Sequence, residues 1–105
     1  MAEAPGFIDE AWQEVVDAAN WYEARVEGLG DRLYGETDHA LDRIADAPAA
    51  GAPWVHRRIK REVRRVPLRS FPYSLYYVVQ PRVIVVAFAH ARRRPGYWAR
   101  RLEDV

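Results

Sequence analysis

Arginines set among aromatic residues are the side chains of this chain best suited to chemistry. Arg64, Arg65 and Arg69 form one group, Arg92, Arg93 and Arg94 a second, and Tyr97, Trp98, Arg100 and Arg101 follow. A guanidinium fork binds phosphate or carboxylate through paired N–H donors, and a neighbouring Tyr or Trp stacks on a base or anchors a protein partner. Both uses are open on the residues alone. The competing use of Tyr97 and Trp98 is to fold the tail back onto the rest of the protein, and His90 reads as structural before it reads as a proton carrier. Other chemistry is poorly supplied. His39, His56 and His90 lie on three different segments with no ligand partner at metal spacing, so no metal is expected. There is no nucleophile elbow, no glycine-rich phosphate loop, and nothing that calls for a cofactor. The carboxylates fall at helical spacing, as a solvated face does.

The elements that must position these arginines centre on Arg64 to Trp98. Two runs rich in β-branched and aromatic residues, Phe71 to Val79 and Val83 to His90, are separated only by Gln80, Pro81 and Arg82, which predicts an antiparallel pair. The first run alternates, with Phe71, Tyr73, Leu75, Tyr77 and Val79 on its drier face. The second is apolar at every position from Val83 to Ala89, which a strand tolerates when both faces are covered, so it is expected to be the central strand. Its apolar run stops at His90, and cationic side chains therefore gather where it ends. Arg61 to Leu68 reads as the first strand of a three-strand meander, with Pro67 at an edge or bulge because proline cannot donate to a ladder. Pro95 to Glu103 reads as a short helix or an extended tail.

Ahead of the sheet the pattern is helical. Ala11, Val15, Ala19, Tyr22 and Val26 recur at spacings of three and four, Asp9 is an acceptable N-cap, and Gly28-Leu29-Gly30 is expected to end this helix. A second helix is expected from about Asp31 to Asp46, with Leu33, Thr37, Leu41 and Ile44 as its buried stripe and Pro48 marking its end. Helices joined by so short a break lie antiparallel, each with an apolar stripe that needs a sheet to cover it. Pro48 to His56 reads as a loop from its Pro, Gly and Ala content. Ala4 to Ile8, broken by Pro5 and Gly6, allows at most a short edge strand at Phe7 and Ile8.

The chain of 105 residues is expected to be one domain. It has no cysteine, which excludes disulfides and thiolate zinc sites, and a reducing cytoplasm fits best. The start lacks the basic end and apolar core of a signal peptide, and no apolar run approaches a membrane span. A formal net charge of +1 conceals a strong division. Met1 to Ala47 carries twelve acids against Arg25, Arg32 and Arg43, whereas Pro48 onward carries thirteen Arg or Lys against Glu62, Glu103 and Asp104. The halves are thus −9 and +10. Such asymmetry suits a basic surface meeting a polyanion or acidic partner, unless the halves simply neutralise each other across a fold interface.

Taken in order, Trp21-Tyr22-Glu23, Gly28-Leu29-Gly30, Ala40-Leu41-Asp42-Arg43-Ile44 closing at Pro48, Arg64-Arg65, Phe71-Pro72-Tyr73, Tyr76-Tyr77, and His90 with Arg92-Arg93 and Pro95 resemble the ParE branch of the RelE/ParE toxins of type II toxin–antitoxin modules. The resemblance covers about Ala11 to Arg101. It implies an α+β fold in which an N-terminal α-hairpin packs on a small antiparallel β-sheet. It also implies a cognate antitoxin whose C-terminal segment wraps the toxin, and a hetero-oligomer with it. The family usually opens with a clear strand, from which Ala4 to Ile8 departs. RelE-like members resemble ribosome-dependent mRNA endoribonucleases, and on that pattern Arg65, Arg92, Tyr97 and His90 would serve catalysis. ParE-like members are associated with blocking DNA gyrase without chemistry of their own. Lys60 is the only lysine, which favours the ParE-like reading over RNA cleavage, with a non-toxic binding module of the same fold as a third possibility. The residues expected to contact target or antitoxin are Arg64, Arg65, Arg69, Arg92, Arg93, Trp98 and Arg101.

Overall fold

In the computed structural model, which describes residues 4–105, strand β1 (Gly6–Phe7) runs directly into helix α1 (Asp9–Glu23), followed by helix α2 (Leu29–Asp46). Glu3, counted above in the acidic half, lies outside the described residues. A 3₁₀ turn (Pro48–Ala50) leads to strands β2 (Ala52–His56), β3 (Ile59–Pro67), β4 (Tyr73–Val78) and β5 (Ile84–His90), and a C-terminal 3₁₀ helix spans Ala99–Asp104. The strands form one mixed sheet in the order β1-β5-β4-β3-β2, with β1 parallel to β5 and the other pairs antiparallel. This is an α+β fold with a helical hairpin packed on a sheet, as the resemblance implies. No helix among the described residues is long and apolar enough to cross a membrane.

The helices form where the apolar periodicity places them, and their ends are set by particular groups. The N-cap of α1 is Ile8 and not Asp9, because Ile8 is still paired to β5, its N–H donating to the Val85 carbonyl. Asp9 and Glu10 occupy the first turn, where negative charge complements the helix dipole. At the other end α1 stops at Glu23, five residues short of the expected glycine. The Glu23 carboxylate turns back to accept the Gly28 and Gly30 N–H groups at 2.9–3.1 Å, which draws the chain into the next helix and leaves Val26 exposed. Gly28, at φ +91°, is therefore the N-cap of α2 and not a C-cap of α1. On α2, Leu33, Thr37 and Ile44 are buried as expected and Leu41 is half-buried, with Ala40 taking part of the core position. The buried Thr37 hydroxyl donates to the Leu33 carbonyl at 2.8 Å, so no polar atom is stranded.

Two corrections concern the sheet. Pro48 to His56 is not all loop, since Ala52–His56 forms β2 and makes the meander four strands long. A strand containing Pro53 holds because it lies on the edge, and it is paired through a two-residue turn to β3, with His56 opposite Ile59. Pro67 ends β3 beyond the reach of β2, whose pairing stops at Ala52 opposite Arg65. The second correction is position: β4 is the middle strand, and β5 lies between β4 and the short β1. The reason for expecting a doubly covered β5 nonetheless holds. Its Val85 and Phe88 pack with Ala11, Val15, Leu33 and Ile44 of the helices, while Val86 and Ala87 pack on the opposite face with Trp98 and Leu102. Trp98 is 1% exposed and sits against Trp54 and Tyr76 at ring separations of 5.0 and 5.1 Å. The C-terminal 3₁₀ segment is thus a second cover for the sheet, and it places a rim of arginines next to that cover.

Candidate functional site

A bulge in β5 builds the site. Tyr76 pairs with Ala87 and the next residue, Tyr77, pairs with Val85, so Val86 is an extra residue on β5. The extra residue reverses the alternation beyond it and turns Phe88 and His90 toward the helix side. Without it, both side chains would face the Trp98 layer. The local break in pairing leaves backbone groups that side chains then satisfy. The Phe88 N–H donates to Glu14 Oε1 at 3.1 Å, and Arg101 donates to the Val86 carbonyl at 3.1 Å.

Glu14 is the node of this arrangement. From the middle of α1 its carboxylate accepts from the Phe88 N–H, from Arg101 at 2.7 and 3.2 Å, and from the Tyr97 hydroxyl. The side chains of Glu14 and Arg101 are each 18% exposed, dry enough for the pair to anchor the C-terminal segment to α1. Burial, reinforced by the hydrogen bond to Glu14, pushes the Tyr97 phenol well above its ordinary pKa. Burial alone would lower the Arg101 pKa, but the adjoining Glu14 outweighs it and the net shift is upward. At neutral pH Tyr97 is therefore a protonated donor committed to Glu14, and Arg101 is a charged brace.

Two cavities meet at this end of the sheet, and His90, Arg93 and Tyr97 line both. The larger, about 440 Å³, lies on the helix side among Trp21, Tyr22, Tyr73 and Phe88. The smaller, about 210 Å³, is on the opposite face, where Arg65, Arg93 and Arg94 surround Trp54, Tyr76 and Trp98. The Arg93 guanidinium lies 3.9 Å from the centre of the Tyr97 ring, a cation–π contact that holds the base of the arginine rim. The His90 ring stands edge-on to Tyr73 at 5.0 Å, and its Nδ1 accepts the Arg92 N–H at 3.0 Å. What the arrangement offers is fixed positive charge beside aromatic surface, suited to gripping phosphate or carboxylate groups.

The sequence-predicted residues do not all meet here. Arg65, His90, Arg93 and Tyr97 come together around the smaller cavity. Arg92 is exposed in the turn beside it and lines neither cavity. Arg64 points to the other face of β3, as strand alternation requires, where it donates to the Gly51 carbonyl at 2.8 Å and pairs with Glu62 at 2.9 Å. Arg69 leaves the same end of the sheet but on the helix side, in the β3–β4 loop against α2, and lines neither cavity. Trp98 is core, and Arg101 is tied to Glu14. Sequence reasoning missed Glu14, one carboxylate among many on a helix, and Trp54, placed in a supposed loop. Among the described residues, Arg101–Glu14 is the one ion pair joining the basic half to the acids of the helices, so the two halves do not cancel pairwise. No three His, Cys, Asp or Glu side chains come together for a metal among the described residues.

No curated protein matches this chain. A family model described as "ParE toxin of type II toxin-antitoxin system, parDE" matches residues 7–95, which takes in both helices, all four strands of the meander, and the Arg92–Arg94 rim. With most of its length so matched, on an α-hairpin over a sheet that ends in that rim, the chain belongs to the ParE toxin family of type II toxin–antitoxin systems.

Proposed function

We propose that this toxin arrests growth by engaging DNA gyrase through the exposed arginines at the end of β5, and that a co-encoded antitoxin neutralises it by covering the basic surface. The family supports a toxin working within such a module. The observation that carries the rest is that Arg65, Arg93 and Arg94 open onto one cavity with Arg92 beside it. All four are exposed, and among the described residues none has a carboxylate in ion-pair range. In this reading Trp98 and Arg101 hold the rim in place, and an acidic or amphipathic antitoxin segment complements its charge.

A second reading, mRNA cleavage on the ribosome, is favoured by the convergence of Arg65, His90, Arg93 and Tyr97 on the smaller cavity. Against it, the Tyr97 hydroxyl is spent on Glu14 and its proton is held tightly, which makes it a poor partner for proton transfer. Expression of the chain alone in bacteria is expected to arrest growth, and the purified protein to inhibit gyrase supercoiling while leaving mRNA intact in a programmed ribosome. Cleaved mRNA with unaffected gyrase reverses the ranking. Arg92→Ala with Arg93→Ala is expected to weaken growth arrest while shifting the melting temperature little, since neither side chain is buried. Unfolding of the double variant would make those arginines structural.

A further inference from the structure

On the helix side of the sheet, at the strand end it shares with the arginine rim but lined by none of the rim's residues, α2 and the β3–β4 loop enclose a cleft of about 480 Å³ that the toxin reading does not use. Its α2 wall carries Arg32, Glu36, His39 and Arg43, spaced by four, three and four, so they stack along one face of the helix. This is a basic stripe on an otherwise acidic element. Asp31, Asp38 and Asp42 lie roughly 100° round the helix, away from the cleft. The loop wall supplies Arg69 and Ser70, and Ala40 and Leu68 form an apolar floor.

The one carboxylate in the cleft is already engaged. Glu36 accepts the Ser70 N–H at 2.8 Å and lies 3.7 Å from Arg32 Nε, while Arg32 donates to the Ser70 hydroxyl at 3.2 Å. Burial alone would raise the Glu36 pKa, but the Ser70 bonds and Arg32 together outweigh it and hold it below the ordinary range. These contacts pin the loop to the helix and use the negative charge in doing so. Arg43 and Arg69 are left exposed, with no carboxylate in ion-pair range among the described residues, and they line the cleft from its two walls, α2 and the loop, together with His39. Two free guanidiniums on separate elements above an apolar floor make a site for an anion with a flat or apolar body. A bare anion would leave the floor unused, and an apolar ligand would leave the guanidiniums unpaired.

We propose that this cleft binds a nucleoside phosphate, its phosphate held between Arg43 and Arg69 and its ring against Ala40 and Leu68. Isothermal titration of the purified full chain with adenosine 5′-monophosphate, guanosine 5′-monophosphate, inorganic phosphate and adenosine, at constant ionic strength, tests it. The two nucleotides are expected to bind, with phosphate about tenfold weaker or more and adenosine weaker still. Arg43→Gln with Arg69→Gln is expected to weaken nucleotide binding by about tenfold or more, and Arg92→Gln with Arg93→Gln to leave it within about twofold. Melting curves of both double variants confirm that they are folded, because all four side chains are exposed. No binding at about 5 mM nucleotide overturns the proposal, as does loss with the Arg92/Arg93 pair alone. Equal affinity for inorganic phosphate or for adenosine overturns the nucleotide assignment. None of these outcomes depends on whether gyrase is the toxin's target.

Discussion

Glu14 shows how much a single side chain settles here. Its partners are 74 to 87 residues away in sequence, and they include a backbone N–H, a guanidinium and a phenol. Replacing it with Ala strands all three in a mostly dry site. Glu14→Ala is therefore expected to cost about 2–4 kcal/mol, read as a lower urea midpoint with an unchanged slope. The same change is expected to bring the ultraviolet titration of Tyr97 down toward the ordinary phenol range, since it removes the group that reinforces burial. A variant as stable as the parent would mean that the tail is held by Trp98 alone. Nothing in the sequence singled out Glu14, because helical spacing reports which face a residue occupies and not which distant group meets it. Arg93 and His90 were legible as a cluster because they are local to one strand end. Arg64 and Arg65 were read together and are not together, since neighbours on a strand face opposite ways.

At the scale of elements, the junction of α1 and α2 depends on Glu23 and Gly28. The Gly28 and Gly30 N–H groups hold the Glu23 carboxylate below its ordinary pKa. A carboxylate with a depressed folded pKa contributes stability that is present above the ordinary carboxylate range and lost as pH falls through the depressed value. Glu23→Gln is accordingly expected to lower the melting temperature at pH 7 and to flatten the decline in stability below about pH 4.5, compared with the parent protein. Parallel declines in the two proteins would show that the carboxylate charge plays no part. Helices and strands whose pattern is carried within the element were readable: the stripes of α1 and α2, and the runs of β4 and β5. β2 was not, because Ala52–His56 is weakly patterned and becomes a strand only by pairing with β3. The overestimate of α1 by the four residues 24–27 has the same origin, since Val26 fits the helical period but the Glu23 contacts end the helix first.

Across the whole molecule, the charge division survives folding, with Arg101–Glu14 its one direct bridge among the described residues. Opposite charges kept apart leave a long-range field that salt screens. Association of the toxin with its antitoxin is expected to slow by about tenfold or more between low and high ionic strength in stopped-flow mixing, with dissociation changing less. An association rate indifferent to salt would point to an apolar interface that makes no use of the rim. The amino-acid order by itself determined the helical hairpin, the β4–β5 pair, the absence of disulfides, the segregated charge and the family likeness. Each of these is a property of composition or of short-range period. Only the tertiary structure decided that β2 is a strand, that a bulge at Val86 turns His90 toward the helices, and that Trp98 is core. It alone showed which arginines stand free, since those outcomes depend on contacts between residues far apart in the chain, and local pattern carries no record of them.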